Sequence, residues 1–180
     1  MFLAFLYVKE EFYSLGQFLE YSLQFLTPWF LYQMRWQVPI GERLLLWMKV
    51  ATAITFTCHG LYAVGYYPQP GHFTEMVINI LGVGEDTALL LLKIMGILDF
   101  LLSVMIFLPL KWARPALIYA IFWGFATSLA RVWSSWDLEF LGDSLMQSWH
   151  ASVMRFPHFL IPLALLILLN QKYKGQAIKS

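Results

Sequence analysis

Residues 88–110 read ALLLLKIMGILDFLLSVMIFLPL, a run broken by only two charges, Lys93 and Asp99. At ~1.5 Å per residue a helix of this length measures ~34 Å, enough to cross a hydrocarbon core of ~30 Å. Working outward, residues 44–66, 116–134 and 153–170 have the same texture, punctuated by Pro68, Pro70, Pro109, Pro115 and Gly142. The whole chain of 180 residues is 59% hydrophobic and 13% charged, with a mean hydropathy of +0.62. Ordinary soluble domains hold roughly 45–50% apolar and about 25% charged residues, so a soluble globule is excluded. The expected fold is all-α: a four-helix bundle spanning the membrane over 44–170, with the lipid bilayer as its solvent. A net charge of +1 and the absence of a Lys/Arg run give no support to a nucleic-acid partner. Cys58 is the single cysteine. Without a second thiol from a partner, disulfide chemistry of the paired-cysteine kind is excluded.

Basic residues mark the cytoplasmic side. Lys9, Arg35 and Arg43 precede the first span, Lys111 and Arg114 lie between the second and third, and Lys172, Lys174 and Lys179 form a basic tail at 171–180. Glu75, Glu85, Asp86, Asp137, Glu139 and Asp143 fall on the opposite side. This places both termini in the cytoplasm of a multi-pass protein of the plasma (inner) membrane. Residues 1–43 are densely aromatic but interrupted by Lys9, Glu10, Glu11, Glu20 and Pro28. They read as amphipathic segments lying in the cytoplasmic interface; the alternative is a fifth span that would carry Glu20 into lipid.

Ionisable residues inside a span are costly, so each marks a site. On the first helix Thr52, Thr55, His59, Tyr62 and Tyr66 share one face; on the second, Gly96, Asp99 and Ser103 do so, with Lys93 roughly 60° to the side. The third presents Gly124, Thr127, Ser128 and Arg131, and the fourth Arg155, His158 and Pro162. Ranked by helical rise, Asp99 lies near the midplane, His59 and His158 ~5 Å outward of it, and Lys93, Arg131 and Arg155 ~8–10 Å outward. The expectation is a polar pocket opening outward, with Asp99 at its floor and an excess of positive charge. Such a pocket suits a small oxyanion or the carbonyls of a quinone, with Lys93, Arg131, Arg155, His158 and Tyr62 binding the ligand and His59 and Asp99 handling protons. Asp99 paired with Lys93 or an arginine for packing alone, and arginines anchored at the membrane surface, are the competing readings. No helix carries ligands at metal-binding spacing, Gly82-x-Gly84 reads as a turn, and Cys58 as a buried inert thiol.

The string Thr57-Cys58-His59-Gly60-Leu61, followed on the second helix by Gly96-Ile97-Leu98-Asp99, resembles the DoxX-like family of small four-helix membrane proteins. In that family a His-Gly pair sits in the first helix and a glycine-rich stretch with an acidic residue, more often Glu, in the second. The resemblance covers roughly residues 44–169 and implies, for some members, a subunit of a membrane oxidoreductase passing electrons to quinone. By position it carries over His59, Gly60, Gly96 and Asp99. The chain has no haem-ligand pair, flavin fingerprint or Fe–S cysteines, so electrons would reach it from a redox partner subunit. A small-anion transporter or channel subunit, working as a homo-oligomer, and a non-catalytic assembly factor docking through its aromatic N-terminal segment are the alternatives.

Overall fold

The computed structural model describes residues 15–36, 40–68, 71–134 and 141–177. Lys9, Pro70, Asp137, Glu139 and Lys179 lie outside the described residues, as do positions 1–14 of the N-terminal segment. The described residues form helices only: α1 (Leu15–Glu20), α2 (Ser22–Trp36), α3 (Glu42–Ala63), α4 (Gly71–Leu81), α5 (Glu85–Met105), α6 (Leu110–Ser134), α7 (Leu141–Val153) and α8 (Pro157–Ala177). Among the described residues four helices are long and apolar enough to cross a membrane: α3, α5, α6 and a stretch Ser148–Lys174 that takes in most of α8. Their outward faces carry exposed Leu, Ile and Phe, including Leu90, Ile97, Leu101, Ile118, Phe122 and Ile167. In water this surface would aggregate, and in lipid it needs no cover.

The expected spans are displaced at their ends by local chemistry. α3 stops at Ala63 because Gly65 adopts φ +81°, and the Tyr66 N–H turns back to the Leu61 carbonyl (3.0 Å) while the Gly65 N–H bonds to Tyr62 (3.1 Å). This paired closure satisfies two carbonyls that the helix end would otherwise leave bare. Gly82, at φ +64°, follows the end of α4 in the same left-handed region. Pro115 does not bracket a connection as expected but lies inside α6, which begins at Leu110 with the Trp112 and Ala113 N–H groups on the Pro109 carbonyl. As the sixth residue of the helix it removes the i→i−4 hydrogen bond to the Lys111 carbonyl.

The main correction concerns the N-terminal segment. Instead of lying apart in the interface, α1 and α2 run antiparallel to α3 along its whole length. Gly16 packs against Tyr62 and Tyr67, the Leu23 N–H donates to Thr55 Oγ1 (3.3 Å), and Phe30 joins the core that holds Met48 and Leu44. Residues 15–36 measure ~33 Å as a helix, a membrane-length element. The chain breaks helix at Tyr21, and Thr55 receives the N–H that this break exposes. Leu15 therefore stands at the end of the bundle near Tyr67, opposite the end where α8 finishes. The two termini, for which a same-side placement was expected, lie outside the described residues.

Two glycine contacts set the spacing of the core helices. A Cβ on Gly60 would lie 2.9 Å from the Gly96 carbonyl oxygen, and one on Gly96 2.8 Å from Val64 Cγ1, so α3 and α5 meet backbone to backbone. On the other side a Cβ on Gly124 would lie 2.7 Å from the His158 carbonyl oxygen, which fixes the α6–α8 crossing. Small residues allow such approach where lipid supplies no hydrophobic drive for helix association. Toward the basic end the interior is apolar, with Leu102, Ile106, Leu117, Ala120 and Leu165 fully or almost fully buried.

Candidate functional site

Because Gly60 and Gly96 touch, the residues beside them in sequence are brought face to face. His59 Nδ1 lies 2.8 Å from Asp99 Oδ2, and the other carboxylate oxygen accepts the Tyr119 hydroxyl at 2.9 Å. The same hydroxyl is 3.3 Å from the Met95 carbonyl oxygen. Asp99 is fully buried and His59 nearly so. A carboxylate here is tolerable because both oxygens hold hydrogen bonds. With a carboxylate as acceptor, Nδ1 carries the proton and Nε2 is the edge of the ring that Asp99 leaves open. One turn toward the basic end Ser103 Oγ bridges the Asp99 carbonyl oxygen (2.8 Å) and the Ala53 carbonyl oxygen (3.1 Å), holding α5 to α3.

A second buried pair joins the ends of the described chain. Arg155 Nη2 lies 3.3 Å from Glu20 Oε1, with both side chains almost wholly buried. The Arg155 carbonyl oxygen accepts from Ser128 Oγ (3.1 Å) and from His158 Nδ1 (3.1 Å), which locks the turn where the last span begins. The N-terminal carboxylate that argued against a fifth span is thus paired inside the protein.

His59, Arg155 and Thr127 form the polar part of a cavity of about 470 Å³ whose other walls are mostly apolar: Phe73, Met76 and Val77 from α4, Leu92 from α5, and Trp123, Ala126 and Ala130 from α6. Exposed Leu81, Phe122, Leu129 and Trp133 border it. The cavity opens sideways, between α4 and α6, onto the lipid-facing surface. This differs from the expected polar pocket opening outward. The excess positive charge is absent there too, because Glu20 offsets Arg155 and because Lys93 is exposed, turned away from the Gly96–Asp99 face.

The remaining expected residues are placed as follows. His158 is buried one turn beyond Arg155, its ring edge-on to Phe56 with centroids 6.4 Å apart, and outside the cavity wall. Tyr62 is buried, its ring tilted against Tyr67 with centroids 5.3 Å apart, facing α1. Arg131 is half-buried near the C-terminal end of α6, its Nη2 3.4 Å from His72 Nε2 on α4. Partial burial and then the guanidiniums of Arg131 and Arg155, opposed by Glu20, push the His72 pKa down to about 4. His72 is therefore neutral at pH 7 and accepts from Arg131. Cys58 is buried one position before His59 and lines a separate apolar groove with Leu19 and Phe100. Among the described residues no cluster of three or more His, Cys, Asp or Glu could hold a metal ion.

Glu20 and Tyr119 are the residues that sequence reasoning missed. Tyr119 lies off the Gly124–Ser128 face because α6 packs against α5 as well as α8, so its polar groups are divided between two stripes. Glu20 carried a usable signal: a carboxylate in an apolar segment calls for a buried cation. No protein-family model, curated protein or solved structure matches the chain.

Proposed function

We propose that the protein binds a lipid-soluble, carbonyl-bearing ligand of the quinone type in the cavity beside His59, as a subunit of a membrane redox complex. The observation that carries this reading is the placement of His59. Its ring is fixed by Asp99, and it lines a mostly apolar cavity bordered by exposed apolar side chains. A ligand with an apolar body and a hydrogen-bonding head matches such walls, and it would arrive from the bilayer. A small hydrated oxyanion matches less well, since the walls cannot replace its water and Arg155 already has a counter-ion. As an imidazolium against the Asp99 carboxylate, His59 donates Nε2–H to a carbonyl; as neutral imidazole it accepts from a hydroxyl. The bound ligand would supply the redox chemistry, with electrons from a partner subunit, and this chain would supply position and protons.

The DoxX-like reading has the same support: the residues on which the resemblance rests, His59, Gly60, Gly96 and Asp99, meet at one contact. The end bearing Arg43, Lys111, Arg114, Lys172 and Lys174 is the cytoplasmic one by the positive-inside rule, which puts the cavity in the outer half of a plasma-membrane protein and Leu15 at its outer end. The test is titration of the detergent-solubilised protein with a short-chain benzoquinone, followed by quenching of tryptophan fluorescence. The parent should saturate, Lys93→Ala should match it, and His59→Ala should bind at least tenfold more weakly. A His59→Ala curve that overlays the parent would contradict the assignment.

A further inference from the structure

Among the buried polar atoms without a hydrogen bond are both amide atoms of Gln24, the Ser152 hydroxyl and His158 Nε2, with Trp123 Nε1 a further one on α6. The positions of Gln24, Ser152 and His158 are related. α2 and α8 run in the same direction, and the Glu20–Arg155 contact sets their register. Gln24 follows Glu20 across the break at Tyr21, His158 follows Arg155 at the start of α8, and α2 packs against α8, so both residues stand on the inner side of the ion pair. Ser152 precedes Arg155 by one turn, on the outer side of the pair. His158 is more than nine-tenths buried, and its other ring nitrogen is committed to the Arg155 carbonyl, so the orphaned nitrogen has a fixed aim.

Buried donors and acceptors are almost always satisfied, and in a polar, enclosed site water satisfies them. From these positions we infer that ordered water fills the space between α2 and α8, bonded to Ser152, Gln24 and His158, and that this file is the route by which the His59–Asp99 pair exchanges protons with the outer aqueous side. The ligand would thus enter from lipid while protons enter from water, along separate paths that converge near Arg155. The second half of this inference rests on the proton-handling role given to His59; the first half does not.

Solid-state NMR of the ¹⁵N-histidine-labelled full chain in phosphatidylcholine bilayers tests both halves. The His158 signal, identified by its loss in His158→Phe, should show magnetisation transfer from water, and Gln24→Leu should weaken that transfer. In the same Gln24→Leu sample the exchange of the His59 ring N–H with deuterated solvent should slow about tenfold. If Gln24→Leu does not fold, Ser152→Ala carries the same two expectations. No transfer from water to His158 in the parent overturns the inference, whatever the quinone titration gives. Transfer to His158 with unchanged His59 exchange overturns the proton route alone, and quinone binding that fails beside a wet His158 overturns only the ligand reading.

Discussion

The two buried pairs, His59–Asp99 and Glu20–Arg155, differ in how they are held and in what they hold. In the first, each carboxylate oxygen has its own donor, the shorter contact is 2.8 Å, and Gly60, beside His59, and Gly96, one turn before Asp99, bring α3 and α5 into backbone contact. In the second, a single 3.3 Å contact ties an interrupted N-terminal helix to the turn that opens the last span. The first is a rigid site between helices fixed by backbone contact; the second is a latch between elements 135 residues apart in the chain.

The largest expected effect comes from breaking the first pair. Asp99→Ala leaves His59 Nδ1 buried without an acceptor and the Tyr119 hydroxyl with only the Met95 carbonyl, and removing one partner of such a network costs about 3–5 kcal/mol. Asp99→Asn keeps the shape and most of the stability but should abolish quinone binding, since an amide cannot support the imidazolium. Thermal unfolding in detergent beside the quinone titration reads both. Gly96→Ala comes next, because the added carbon meets Val64 and the Gly60 carbonyl and must push α3 from α5, at about 1–3 kcal/mol. Gly124→Ala should cost a similar amount at the α6–α8 crossing yet leave the His59–Asp99 distance and ligand binding intact; equal loss of binding in both variants would erase the distinction between the regions.

The latch makes a smaller and reversible prediction. Glu20→Leu leaves Arg155 buried and unpaired and should destabilise the protein, whereas Glu20→Leu with Arg155→Leu should recover most of the loss, since apolar pairs often match buried ion pairs in stability. A double variant no better than the single would mean that Arg155 matters for its other contacts. The smallest effect is acid sensitivity at α4. His72 binds its proton only near pH 4 when folded and near 6.5 otherwise, so the contact with Arg131 is fully present above about 6.5 and is lost as the pH falls toward 4. Amide exchange in α4 should rise over that interval, and His72→Ala should remove the dependence.

The four spans and the His59–Asp99 face were legible because helical periodicity and depth depend only on local sequence. Ranking residues by rise put His59 and Asp99 at neighbouring depths, and the structure joins them. Depth alone could not show direction around the axis: Lys93, at a suitable depth, is exposed, and Tyr62 turns to α1. The N-terminal segment was misplaced for a related reason. Charge counting treated Glu20 as a cost in lipid, while its compensation came from Arg155 at the far end of the chain, which no local pattern reports. The shape and lipid-facing mouth of the cavity depend on α4, a short helix in what the sequence presents as a connection between spans.

The most direct test is mass spectrometry of ligands extracted from the protein purified in mild detergent with native lipid, comparing the parent with His59→Ala and Lys93→Ala. The account predicts a quinone near one per chain in the parent and in Lys93→Ala, and its loss in His59→Ala. A parent without enriched quinone, or equal quinone in parent and His59→Ala, would contradict it.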